Sequence, residues 1–163
     1  GHLAELAALT GAADAETLLT PLVADQPTAR PTIWTFPESF GALLGLVLHR
    51  RGQQARAATL WAQALAADSA DLARGHGNPD RPLEIAAIHA IRGETAAALD
   101  WLERGYEAGW RDYRITRRDP FFTGLRDESR FRALLTRMES DVAGMQQRAL
   151  SPQDSVLKGG ASP

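Results

Sequence analysis

Two stretches of this 163-residue chain place small and large apolar residues at the same distances from a glycine. The two glycines, Gly52 and Gly93, stand 41 positions apart. A small residue lies seven positions before each glycine. A second small residue lies five positions after it, a large apolar residue nine positions after it, and a third small residue twelve positions after it. The matched residues are Gly45, Ala57, Trp61 and Ala64 in the first stretch and Ala86, Ala98, Leu102 and Gly105 in the second.

Each stretch predicts two amphipathic helices joined by a tight turn at its glycine. Apolar residues recur at spacings of three and four on both sides of the turn, which is the period of a helix face. The small residues stand where two helix backbones would have to approach closely. Because such a pair cannot bury its own apolar face, it needs neighbouring helices. The sequence therefore predicts an all-α fold of stacked, antiparallel helix pairs.

Composition agrees with this fold and excludes several functions. Alanine and leucine dominate, while β-branched and aromatic residues are sparse, which favours helix over sheet. The absence of cysteine excludes disulfides, thiolate metal sites and a cysteine nucleophile. A net charge of -2 provides no long-range positive field for a nucleic-acid backbone. No stretch reaches the ~18 apolar residues of a membrane span, so we expect no membrane insertion of this domain.

The remaining segments predict further helices and connectors. Residues 2–10 and about 15–24 predict two short helices, although Pro21 would favour an end near Thr20. Residues 25–37 predict a proline-rich connector, whose Ile33, Trp34 and Phe36 we expect to pack onto the core. Asp80 is the expected N-cap of the helix that follows the loop after Gly75. A long, apolar-striped helix after Asp127 would close a single domain of residues 1–150, and residues 151–163 form a polar tail that we expect to be flexible.

The matched pattern resembles the tetratricopeptide repeat, a family of helix pairs with a turn glycine and small residues at fixed places. The resemblance covers about residues 38–110, and residues 38–71 and 79–110 are its clearest repeats. The spacing departs from the family's 34 residues, and Gly41 and Pro82 stand where the family often has tryptophan. The resemblance implies a short tetratricopeptide-like superhelix closed by residues 111–150. The first two short helices are a candidate degenerate third repeat.

The resemblance also implies a function. Tetratricopeptide repeats are protein-interaction modules, and residues 111–150 look like the closing segment of such regions in bacterial signalling or regulatory proteins. We therefore expect a non-enzymatic interaction or scaffolding module, in which the first helix of each pair lines an apolar concave groove for a peptide or a partner helix. By position, the partner-binding residues are Leu46, His49, Arg50, Leu83, Ala87 and Ile91. Occlusion of this groove by residues 15–37 or by the C-terminal segment is the competing expectation.

Two other functions remain open at this stage. A small-ligand sensor domain controlling a separate effector domain would need an enclosed pocket lined by Trp34, Trp61 or Trp101. A homodimerisation module would need an exposed apolar face. The composition suits either the cytoplasm or the periplasm, and we favour the cytoplasm only slightly.

No catalytic, metal or cofactor site is predicted. His49 and His89 lack a third ligand at suitable spacing. The serines lack a nucleophile elbow, and no glycine-rich phosphate loop occurs. The arginines of residues 111–141 are interleaved with acidic residues, so this segment carries only +2 and predicts solvated ion pairs rather than a nucleic-acid site.

Overall fold

The computed structural model describes residues 2–30, 37–75 and 78–150, and these ranges contain helices and no strand. The predicted all-α class is confirmed. In chain order the helices of the described ranges are α1 (His2–Thr10), α2 (Ala15–Asp25), α3 (Phe40–Arg50), α4 (Gln54–Ala73), α5 (Asp80–Ile91), α6 (Thr95–Glu107), α7 (Tyr113–Arg118), a 3₁₀ helix (Pro120–Leu125) and α8 (Ser129–Leu150).

The first six helices form three successive antiparallel pairs, α1 with α2, α3 with α4, and α5 with α6. Neighbouring pairs pack side by side, because α2 contacts α3 and α4 contacts α5. The first helices of the pairs also contact one another, α1 with α3 and α3 with α5. The result is a repeat-like helical array in which each pair buries the apolar face of the next.

A glycine in the left-handed backbone region ends the first helix of every pair. Gly11, Gly52 and Gly93 share a φ of +76°, which an L-residue adopts only with strain. The next residue's N–H reaches back five residues to a helix carbonyl, as in a Schellman motif. These bonds are Ala12 to Ala7 (2.8 Å), Gln53 to Leu48 (2.9 Å) and Glu94 to His89 (3.0 Å). Gly11 also precedes Gly52 by 41 positions, so the first pair repeats the turn of the other two.

Small residues at the matched positions permit close contact within the pairs. A Cβ at Gly45 would lie 2.3 Å from Nε1 of Trp61, and one at Gly105 would lie 2.4 Å from Cδ2 of Leu83. Trp61 is buried, and its Nε1 donates to the carbonyl of Ala42 at 3.2 Å. The prediction that small residues stand at close helix contacts is confirmed at these two positions.

The connector after α2 caps the start of α3. The N–H groups of Phe40 and Gly41 donate to the carbonyls of Ala29 and Pro27, both at 2.8 Å, and satisfy donors that a helix start leaves unpaired. A Cβ at Gly41 would lie 2.6 Å from the Pro27 carbonyl oxygen, so only glycine admits the connector here. The expected packing of Ile33, Trp34 and Phe36, like the expected flexible tail at 151–163, concerns residues outside the described ranges.

Two local expectations are wrong. Pro21 does not end α2, which runs on to Asp25. Pro21 and Thr17, whose carbonyl loses its helical partner, are both exposed, so solvent can take that partner's place. Asp80 is not the N-cap of α5 but its first residue, and its N–H donates to Oδ1 of Asn78 at 2.9 Å. Pro79 is the N-cap residue, and the Asn78 side chain satisfies the first N–H of the helix.

The C-terminal segment closes the array. The 3₁₀ helix packs on α5, and α8 packs on α6 and α7. Phe121, Phe122 and Leu125 are buried, and Asp119 caps the 3₁₀ helix by accepting from the Phe121 N–H at 2.9 Å. The predicted long C-terminal helix is confirmed. In the part of the chain that is described, no helix has both the length and the apolar character needed to cross a membrane.

Candidate functional site

Three of the six predicted partner-binding residues lie inside the array. Leu46, Leu83 and Ala87 are each at most 1% exposed. Leu83 packs against Gly105 of α6, and α5 is further covered by the 3₁₀ helix. The groove expected along the first helices is therefore closed at these residues by the chain's own helices.

The other three predicted residues keep some exposure and also have structural contacts. The ring of His49 lies 5.4 Å from that of Trp61, and Ile91 packs against the edge of the core. Arg50 donates from Nη1 to the carbonyl of Ala8 at 2.9 Å and so caps the C-terminal end of α1. A partner-binding role for these residues stays a prediction. Beside Arg50 lies an open cavity of about 200 Å³, lined by Ala8, Gly11, Ala12, Val47, Arg50 and Arg51.

A buried cluster of charges, centred on Arg30, joins the connector to the second and third pairs. Arg30 donates from Nη2 to Asp68 Oδ1 at 2.9 Å and to Glu84 Oε2, and from Nε to the Pro37 carbonyl at 2.8 Å. Glu84 Oε1 accepts from the N–H of Ser39 at 3.1 Å and from its hydroxyl. Burial, and next the Glu84 carboxylate, raise the pKa of Asp68 to about 8. The cluster holds the start of α3 between α4 and α5.

A second buried group consists of the carboxyls of Glu38 and Asp119, each 1% exposed. Burial, followed by the neighbouring Asp119 carboxyl, raises the pKa of Glu38 well above its usual range. Burial also raises the pKa of Asp119 to about 6, although the Phe121 N–H opposes that rise. Both Glu38 oxygens and Oδ2 of Asp119 accept from no N–H or hydroxyl of the described residues. A proton kept on Glu38 and donated to Asp119 satisfies this pair.

A surface of stacked arginine and tyrosine side chains lies where α6, α7 and α8 meet. The guanidinium carbons of Arg111 and Arg137 lie 4.0 Å and 4.6 Å from the centre of the Tyr106 ring. The Tyr106 hydroxyl donates to Asp141 Oδ2 at 2.7 Å, and Arg111 Nε lies 3.1 Å from the same oxygen. This interlocked group anchors the C-terminal half of α8 to the end of α6.

Two adjoining open cavities of about 290 and 350 Å³ share Arg111 on this surface, and we call them together the α7–α8 groove. The sequence predicted ion pairs here, and Arg111 with Asp141 and Arg117 with Glu139 form them. The stacking on Tyr106 was missed, because its partners lie on separate segments of the chain. The groove is lined by Arg111, Asp112, Tyr113, Arg114, Ser140, Asp141, Val142, Gly144, Met145 and Arg148.

The histidines of the described residues indicate no ligand, and comparisons with known proteins indicate no family. His89 bonds through Nδ1 to Glu94 and not to His49. Within residues 2–30, 37–75 and 78–150, no three His, Asp or Glu side chains are arranged to hold a metal ion. No protein-family model, curated protein or solved structure matches this chain. The functional argument therefore depends on the chain's own geometry.

Proposed function

We propose that this chain is a non-enzymatic interaction or scaffolding module of the tetratricopeptide-like type, belonging to a bacterial signalling or regulatory protein. Three helix pairs with turn glycines 41 positions apart support the repeat assignment. Small residues at the close contacts within the second and third pairs support it further. The bacterial signalling context comes from the sequence resemblance alone.

The observation that carries the proposal is the contrast, within the described residues, between a tightly packed Trp61 and open surface grooves. Trp61, a candidate lining residue for a ligand sensor, is packed on Gly45 and its Nε1 is hydrogen-bonded. The cavities beside Arg50 and between α7 and α8 open to solvent and have no tryptophan in their walls. Open grooves on a rigid helical scaffold suit a segment of another protein better than an enclosed small molecule.

Selection from a displayed library of random peptides tests this proposal. The folded 163-residue protein is the bait, and the same protein after thermal denaturation is the control. We expect a recurrent motif from the folded bait, bound with a Kd of about micromolar when resynthesised. Failure of the folded bait to enrich any motif, from linear and from helical libraries, would refute the proposal. A Leu46→Asp variant is not a suitable control, since a charge at that buried position would unfold the domain.

Homodimerisation is the second candidate, and the outer face of α1 favours it. Leu3 is 75% exposed and Leu6 40%, and they lie about one helical turn apart. Exposed apolar residues on the outer helix of a repeat array are expected to pack against a further surface. Sedimentation velocity over a wide concentration range tests it against a Leu3→Glu, Leu6→Glu variant. Dimers that persist in the variant, or a wild-type monomer throughout, would exclude this face.

A further inference from the structure

We propose that the α7–α8 groove binds an acidic peptide segment with an apolar side chain, supplied by a partner protein. The proposal rests on the interaction-module function above and gives that function a site and a partner chemistry. Its basis is one fixed guanidinium group, flanked by two further arginines and two apolar side chains, at a place where the local carboxylates are already engaged.

The guanidinium at the centre of the groove is held in place before any partner arrives. Arg111 donates from Nη1 to the carbonyls of Trp110, at 2.8 Å, and Tyr106. Its Nε pairs with Asp141, and its plane lies against the Tyr106 ring. A side chain fixed in this way loses little conformational freedom when a carboxylate binds, which lowers the entropic cost of association.

Positive charge around Arg111 exceeds what the local carboxylates neutralise. Asp112 accepts from the N–H groups of Arg114 and Ile115 as the cap of α7, and Asp141 is held by Arg111 and Tyr106. Within the described ranges, no carboxylate oxygen lies at salt-bridge distance from Arg114 or Arg148, which line the groove, or from the neighbouring Arg137. Because the whole chain carries -2, this excess is a property of the groove and attracts a carboxylate-bearing partner locally.

The floor of the groove includes two apolar side chains and a glycine of α8. Met145 is 42% exposed, and Val142 is partly buried. Gly144 stands inside α8, where glycine costs roughly 0.5–1 kcal/mol relative to alanine. Its packing does not demand glycine, since an added Cβ would meet only Nη1 of Arg148 at 3.4 Å. A glycine at this place lets a bound segment approach the helix backbone.

These features favour a peptide over a nucleic acid. The Tyr106 ring, the natural stacking surface for a base, already has two guanidinium groups against it. Two carboxylates, Asp112 and Asp141, line the groove and would repel a phosphate backbone. Separate acidic side chains can avoid those carboxylates and meet the arginines, while an apolar side chain covers Met145.

Fluorescence anisotropy with three labelled peptides tests the proposal on the 163-residue protein. One peptide combines glutamate and leucine, the second replaces each glutamate with glutamine, and the third replaces each glutamate with lysine. We expect the glutamate peptide to bind at least about tenfold more tightly than the glutamine peptide, with an affinity that falls as salt is added. The lysine peptide is expected not to bind.

Matched charge reversals locate the binding. Arg148→Glu alone should weaken binding of the glutamate peptide, and Arg148→Glu combined with Arg114→Glu should weaken it about tenfold or more. Arg132→Glu is the control, since Arg132 is exposed on the same helix but does not line the groove. Gly144→Leu, which favours helix and fills the floor, should weaken binding without a change of charge. Circular dichroism of each variant confirms that the fold is retained.

Several results would overturn the proposal. Equal weakening by Arg132→Glu would show a non-specific charge effect, and equal binding of the glutamine peptide would show that carboxylates are not recognised. Tighter binding of an oligonucleotide than of the glutamate peptide would assign the groove to another class of ligand. Library-selected peptides that still bind the Arg114→Glu, Arg148→Glu variant would refute this groove and leave the interaction-module function standing. A folded protein that selects no peptide refutes both.

Discussion

The buried Glu38–Asp119 pair predicts that this protein loses stability as the pH rises from 4 toward neutrality. The pKa of Asp119 goes from an ordinary 3.8 to about 6 in the fold. Because the folded pKa is the higher one, the folded state binds more protons than the unfolded state between these values. The free energy of unfolding therefore falls as pH rises through this window. A difference of about two pKa units corresponds to about 3 kcal/mol.

Asp119→Asn removes this titration and keeps the local hydrogen bonds. The asparagine Oδ1 can still accept from the Phe121 N–H, and its Nδ2 can donate to Glu38 at any pH. Relative to wild type, we expect the variant to gain stability as pH rises, by about 3 kcal/mol between pH 4 and pH 7. Asp112→Asn is the matched control, because Asp112 also caps a helix but is exposed.

Urea denaturation at a series of pH values, followed by tryptophan fluorescence, measures the effect. The difference in unfolding free energy between variant and wild type reports the titration of Asp119, together with the change that the Asp119 charge causes in the titration of Glu38. A difference that stays constant from pH 4 to pH 7 would refute the assignment of a shared proton to this pair. The same would follow if Asp112→Asn reproduced the change. Asp68, with its pKa raised to about 8, extends the wild-type decline to higher pH.

Three further substitutions test the turn, the last helix and the Arg30 cluster. Gly93→Val should lower the unfolding free energy by about 2 kcal/mol through backbone strain at φ +76°. Gly93→Asn should lower it by less, since asparagine tolerates this backbone region. An unchanged urea midpoint in the valine variant would contradict the assignment of the turn. Gly144→Ala should raise the unfolding free energy of the protein by about 0.5–1 kcal/mol, measured by urea denaturation. A lower unfolding free energy would show that the backbone needs glycine at this position. Arg30→Met should cost about 3 kcal/mol at pH 8 and less at pH 5, where Asp68 can take up a proton. An equal cost at both pH values would contradict the raised pKa of Asp68.

The contacts within each helix pair were predictable because they are local. The turn glycines and the small residues at Gly45 and Gly105 lie within about one repeat of their contacts, and helix period and backbone sterics determine them. The aspartate cap at Asp119 is local for the same reason. Pro21 departed from expectation because a proline on a solvent-facing side can be accommodated, and local propensity does not reveal which side faces solvent.

The candidate site was less predictable, because the sequence marks apolar helix faces without saying what covers them. Leu46 and Leu83 were assigned to an open groove by position, but the neighbouring helices bury them. The stacking of Arg111 and Arg137 on Tyr106 brings together α6, the connector after it and α8, and leaves no periodic signal.

The sequence by itself determined the all-α class, the antiparallel pairs and the tight turns, since these follow from short-range sterics and helical periodicity. Only the tertiary structure decided which polar groups are buried together. Arg30 meets Asp68 and Glu84 across 38 and 54 positions of the chain, and Glu38 meets Asp119 of the C-terminal segment. Such pairings depend on how the helix pairs stack, and the stacking is set by the packing of the whole core rather than by any one segment.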